Sequence, residues 1–268
     1  MILQKVFVEL ERVGKDHIEL WASTEKFEVD AYEALRDFFH YGFYRNRREE
    51  IAKKYYEQAY ISMDEITQNL KIPKDKVEFL KEKGNTLQQT FTQKVNSIRS
   101  PITHKKWEVH ETDLSFLKSV CNDFIPLLKN YDYNVRIFCK GFFQKLDYRE
   151  LFNRIDDIKG VGQKIASLYL RDMLFLYDRD QKTKNLEKLT QEQLFVMYPI
   201  DTWVKNISKK ILDEKIGDDK KIAFEIFEKC HEYGVNAVYV NHGIWYIGAN
   251  SQEFILQNLD KIGKFKVP

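Results

Sequence analysis

Apolar and polar positions alternate at the start of the chain. Val6, Val8 and Leu10 stand among polar neighbours, as do Ile18 and Leu20, and Val13-Gly14-Lys15-Asp16 separates the two runs. Alternation with a period of two, broken by a glycine-containing tetrapeptide, predicts a short β-hairpin over 4–21. From residue 30 onward the apolar spacing lengthens to three and four. Helices are predicted over 30–41, 47–60, 74–83, 87–98 and 113–128. Others are predicted over 135–146, 149–157, 163–177, 191–197, 201–212, 220–233, 237–248 and 252–260. Ser62-Met63-Asp64-Glu65 has the form of a capping box opening a short helix of its own. Pro73, Gly84 and Ser100-Pro101 are breaks, and 101–111 reads as a connection. The expected fold is mainly α, with an N-terminal β element at 1–28 and a helical domain at 29–268.

A length of 268 residues is enough for one large domain or two lobes sharing a core. The formal net charge is only +2, so a nucleic-acid footprint, if there is one, must be local rather than written in the overall charge. Cys121, Cys139 and Cys230 are far apart and form no C-x-x-C pair. That spacing argues against a disulfide framework, a zinc site or an iron–sulfur cluster, and fits three buried thiols in a reducing compartment. The first ten residues lack the form of a signal peptide, and no stretch has the length of a membrane span. These features lead to the expectation of an intracellular chain, in cytoplasm or nucleoid, with no membrane partner.

The stretch richest in chemistry is Ile158-Lys159-Gly160-Val161-Gly162-Gln163-Lys164-Ile165-Ala166-Ser167. One predicted helix ends just before it and another begins at Gln163. Two glycines two residues apart permit a tight turn with uncovered backbone N–H groups. The helix that follows adds the positive end of its dipole, so the turn can accept a phosphate without reading a base. By residue type alone the same turn is also an ordinary link between two helices.

This stretch resembles the helix-hairpin-helix of the DNA glycosylase superfamily that includes endonuclease III and the 8-oxoguanine glycosylases. Tyr198-Pro199-Ile200-Asp201-Thr202-Trp203-Val204 is similar to the segment that carries the catalytic aspartate in that superfamily. Val240-Asn241-His242-Gly243-Ile244-Trp245-Tyr246-Ile247-Gly248 is similar to a late helix of its fold. The resemblance covers roughly residues 113–250. It implies a two-lobed helical glycosylase fold with the hairpin at 149–177, Lys164 as nucleophile and Asp201 as its electrostatic partner. Gly160 and Gly162 would bind a DNA phosphate. No cofactor or metal is expected, the partner is double-stranded DNA containing a damaged base, and the chain is expected to be a monomer. A finer likeness links 159–167, followed by Leu170-Arg171-Asp172, to the compact microbial 8-oxoguanine glycosylases, which have asparagine where Asp172 stands. Lys164 and Asp201 are 37 residues apart, about twice the usual separation, and the extra length falls in 177–198.

The residue types suit the reaction. Breaking an N-glycosidic bond develops positive charge on the sugar, which a nearby carboxylate stabilises. A lysine amine can attack the sugar and form a Schiff base that leads to strand nicking. Other readings of the residues stay open. Asp201 is also a natural helix N-cap, and Lys164 is also a solvated lysine at a helix start. A non-catalytic DNA-binding module would keep the hairpin alone, an enzyme using only Asp201 would not nick, and a glycosylase for oxidised pyrimidines is the alternative substrate class. Tyr41-Gly42-Phe43-Tyr44-Arg45-Asn46-Arg47-Arg48 mixes rings and cations in a way that could track a strand or form a solvated helix start. His104 and His110 flank Trp107 without a carboxylate at ligand spacing, and Trp245 and Tyr246 read as core.

Overall fold

The computed structural model describes residues 2–44, 49–99, 106–212 and 218–256. These contain thirteen α-helices and no strand, apart from an isolated bridge between Arg99 and Lys106. The mainly α expectation holds. None of the helices is long and apolar enough to cross a membrane. Arg45–Arg48, His104 and the residues after 256 lie outside the described residues, so the basic half of the Tyr41–Arg48 segment does too.

The N-terminal β element is corrected: α1 is a continuous helix over Ile2–Ala22. Val6, Phe7, Leu10, Val13, Gly14 and Ile18 are all buried, and the steps of three and four among them trace one helical face. The alternation of Val6, Val8 and Leu10 is a coincidence within that longer period, since Val8 is exposed. A second correction concerns Ser62. It lies inside α3 (Glu49–Thr67), where its hydroxyl donates to the Gln58 carbonyl at 2.7 Å, so it caps no separate helix.

The chain divides into two compact units. One comprises Phe27–Tyr169, and the other joins the residues up to Lys26 to those from Leu170 onward. The first unit contains α2 (Ala31–Phe43), α3, α4 (Pro73–Leu80), α5 (Gly84–Asn96), α6 (Glu111–Ser119), α7 (Val135–Phe143) and α8 (Tyr148–Asp156). Its centre is aromatic. Phe116 meets Phe39 at 5.4 Å and Phe43 at 5.7 Å between ring centroids, both edge to face, and Phe38 lies 5.1 Å from Phe124. The buried guanidinium of Arg136 is paired with Asp37 through Nη2, which gives this interior charge a counter-ion.

The second unit is built from α1, α10 (Gln191–Val196), α11 (Thr202–Ile211), α12 (Asp219–Tyr233) and α13 (Ala237–Leu256). Phe7, Leu10 and Val13 share one core with Val204 and Ile207, Ile222 and Ile226, and Val240 and Ile244. Each such side chain contributes roughly 1.5–3 kcal/mol by leaving water. α1 and α13 come unusually close because Gly14 faces the Tyr239 carbonyl and Gly243 faces the Leu10 carbonyl. A side chain at either glycine would collide with that backbone. The helix α9 (Gln163–Gln181) begins in the first unit and continues into the second.

Candidate functional site

The turn between α8 and α9 is held by its apolar residues. Ile158, Val161, Ile165 and Ala166 are buried. The N–H of Val161 donates to the Ile158 carbonyl at 2.9 Å. The N–H of Lys159 donates to the Ser119 hydroxyl at 3.2 Å, and that hydroxyl donates to Asp123 at 2.9 Å. Gly160 and Gly162 have φ of +85° and +79°, the left-handed region that other residues enter only with strain. Steric crowding is not what requires glycine at 162, because nothing lies within 4 Å of where its side chain would start. The carbonyl of Gly162 accepts from Ile165 and Ala166 at 3.0 and 3.1 Å, which places it at the N-cap of α9. Gly162 and Gln163 are exposed at the opening of α9. Lys164, half-buried, stands in that first turn. Gly160, Gly162 and Lys164 therefore share one short segment of the first unit.

Asp201 belongs to the second unit. It caps α11, and its carboxylate accepts from the Val204 N–H at 2.9 Å. The turn leading to it is tied to α13, because the Asn241 carboxamide donates to the Pro199 carbonyl at 3.1 Å. Asn241 is itself oriented by Arg171, which donates to its oxygen at 3.1 Å and also pairs with Asp172 at 2.9 Å. Arg171, Asp172 and Asn241 are all buried. A carboxylate fixed through a cap and a buried polar chain has little freedom to reorient, which a preorganised site requires.

Sequence reasoning assigned no role to Arg171, Asn241, His17 or His242. The first two stood in motifs that were recognisable only as a pattern. His17 was hidden by the wrong period for α1. His17 Nδ1 and His242 Nε2 lie 2.6 Å apart, so one ring is donor and the other acceptor. The Tyr246 ring lies 4.5 Å and the Trp245 ring 5.9 Å from His17. Both rings are half-buried and pack against the core of the second unit, in keeping with the core reading, and their other sides lie beside His17. Burial, with help from the Arg171 charge, pushes the His17 pKa down to about 4. The same causes, with His17 itself, hold His242 well below its ordinary value. The other ring nitrogen of His242, Nδ1, is buried with no hydrogen-bond partner among the described residues.

The residues that lengthen the interval between Lys164 and Asp201 are ordered by Asp178. Its carboxylate accepts from the Leu186 N–H at 2.7 Å and the Thr183 hydroxyl at 2.6 Å, and burial raises its pKa. α10 then opens with a reciprocal cap between Thr190 and Gln193. Of the histidines beside Trp107, His110 caps α6, while Trp107 stacks on Tyr55 at 5.3 Å. All three cysteines are buried, and burial pushes the thiol of Cys121 up to about 12. Among the described residues no group of three or more histidine, cysteine, aspartate or glutamate side chains is placed to hold a metal ion.

The depressed histidines carry a pH prediction. Neutral in the fold, they bind protons more readily when the chain unfolds, so stability is complete above about pH 6.5 and falls as pH drops toward 4. Each proton taken up on unfolding contributes at most about 1.4 kcal/mol per pH unit. Thermal midpoints measured across this range should fall steadily, and less steeply in His242→Gln. A flat profile between pH 6.5 and 4 would contradict the buried neutral pair.

Comparison of the chain with protein-family models, with curated proteins and with solved structures found no match.

Proposed function

We propose that this chain is a base-excision DNA glycosylase with AP lyase activity. The observation that carries the reading is the turn of Gly160 and Gly162. Two left-handed glycines turn the chain into the exposed start of α9, and Lys164 follows within one turn. A duplex phosphate binds such a turn through backbone N–H groups and the helix dipole. The damaged nucleotide leaves the stack, because its sugar carbon is shielded inside the duplex.

The chemistry then proceeds in balanced steps. The carboxylate of Asp201 stabilises the positive charge that develops on the sugar. The Lys164 amine attacks C1′ as the bond to the base breaks, and the base departs with a proton. Ring opening gives a Schiff base between Lys164 and the sugar. Loss of a 2′ proton then expels the 3′ phosphate, and water hydrolyses the imine to restore the lysine. Asn241 and Arg171 act as positioning residues that hold the turn before Asp201.

The proposed substrate is an oxidised purine, 8-oxoguanine in the first instance. This rests on the likeness of residues 159–172 to the compact microbial enzymes, with Asp172 as its departure. A pocket that pairs one extra N–H or carbonyl discriminates strongly, since its own polar group is otherwise left unpaired. The test is single-turnover excision and borohydride trapping on duplexes that each carry one lesion. Trapping on 8-oxoguanine is the expected result. Trapping on thymine glycol alone would move the substrate to oxidised pyrimidines, and no trapping with base release intact would remove the lyase step.

A further inference from the structure

α11 opens in the second unit with Asp201 at its N-cap, and its buried face is made of Val204, Ile207 and Ser208. Two residues past the cap stands Trp203. The chain has four tryptophans. Trp21, Trp107 and Trp245 are half-buried, whereas Trp203 is 38 % exposed. A lone apolar side chain in water needs no account in itself. This one is set apart by its place and by its support. Its stem packs on Gly248 of α13, where a side chain would begin only 2.7 Å from the Trp203 Cβ. α13 thus backs the stem of the residue, and the ring is left partly in water just past the capping carboxylate.

The rest of that helix face is suited to the backbone of a strand. Its exposed positions are Thr202, Trp203, Asn206 and Lys210. The helix has three lysines and no carboxylate. Of the acidic residues that open α12, Asp219 pairs with Lys205 at 2.9 Å and Asp218 is the N-cap. Ring, amide and ammonium therefore follow one another away from Asp201 over about 10 Å.

We infer that Trp203 contacts the substrate of the proposed glycosylase, its indole packing on the nucleotide next to the flipped one in the damaged strand, with Asn206 and Lys210 following the backbone. The occupant comes from the glycosylase reading, on which the inference rests. Nucleotides follow one another at about 3.4 Å along a strand, and the α-carbons of residues 201 and 203 stand about 5 Å apart. A strand whose sugar reaches the Asp201 carboxylate thus brings its next nucleotide to the ring. An indole stacks on any base, so the contact adds affinity without choosing the lesion.

The experiment is single-turnover excision from duplexes carrying 8-oxoguanine or thymine glycol, with the full chain titrated. Trp203→Ala keeps the Cβ that rests on Gly248, so its thermal midpoint should stay near that of wild type. It should raise the half-saturating protein concentration by about tenfold or more, the effect of losing one stacked base. The rate at saturation should stay within about twofold, because the contact is the same in ground and transition states. Trp203→Phe should restore most of the affinity, and Lys210→Gln should make it less sensitive to salt. A duplex with a tetrahydrofuran abasic analogue offers no base to excise. Bound to wild type, it should shield tryptophan fluorescence from acrylamide, and the shielding should be lost in Trp203→Phe. That measurement decides the matter if Trp203→Ala is unstable. Unchanged half-saturation in a folded Trp203→Ala overturns the inference and leaves the glycosylase reading standing. So does a loss confined to the saturated rate, which would make Trp203 a positioning residue for Asp201. Wild type that excises from neither duplex removes the glycosylase reading, and the inference with it.

Discussion

Lys164→Gln should eliminate both strand nicking and the borohydride-trapped adduct while leaving duplex binding close to wild type. Glutamine nearly preserves the length of the side chain but offers no amine, so no Schiff base can form. The backbone of the Gly160–Gly162 turn is untouched, and that turn supplies the proposed phosphate contact. Asp201→Asn provides the contrast. Asparagine also caps helices, so the bond to the Val204 N–H and the start of α11 should survive. The carboxylate charge is lost, however, and turnover should fall by about tenfold or more. Trapping assays on both variants, with circular dichroism to verify the fold, separate the two roles. Undiminished trapping by Lys164→Gln would refute the nucleophile, and full activity in a folded Asp201→Asn would place the required carboxylate elsewhere.

The second large effect is on stability. Replacing a helix-interior glycine by alanine ordinarily stabilises by about 0.5–1 kcal/mol. Gly243→Ala is expected to do the opposite and cost about 3 kcal/mol, at the upper end for overpacking. The obstacle is the Leu10 carbonyl of α1, a backbone atom that cannot rotate aside. Gly141→Ala in α7 is the control. A side chain there meets only the edge of the Tyr131 ring at 3.2 Å, which can shift. Its effect should stay within about 1 kcal/mol. Urea unfolding of the two variants against wild type measures the difference, and a Gly243→Ala protein as stable as wild type would disprove the close backbone contact.

These cases show how far local pattern reaches. The helices flanking the Gly160–Gly162 turn were expected at 149–157 and 163–177 and are found at Tyr148–Asp156 and Gln163–Gln181. Their ends are written in residues with strong backbone preferences, namely two glycines at one junction and a capping aspartate at another. Asp201 as an N-cap was legible for the same reason. α1 was misread because a five-residue window of Val6, Val8 and Leu10 fits a strand, whereas only the full run from Val6 to Ile18 reveals the helical period. The Asn241 link to Pro199 and the His17–His242 contact join residues 42 and 225 positions apart. No local spacing encodes such pairs. The first exists because α13 lies beside the turn before α11 and the second because α1 and α13 fold against one another, so the partners appear only with the tertiary structure.

That partnership bears on how the chain is made. α1 ends at Ala22 and α13 begins at Ala237, so about 215 residues must follow α1 from the ribosome before its principal partner appears. At about 5–20 residues per second the wait is roughly 10–40 s. During that interval Phe7, Leu10 and Val13 have no core to enter, whereas Phe27–Tyr169 is continuous in sequence and can assemble on emergence. A nascent α1 is thus a hydrophobic segment awaiting a late strap, and it offers a binding site for chaperones throughout synthesis. Truncations that stop before residue 237 should for this reason aggregate rather than yield a smaller soluble protein.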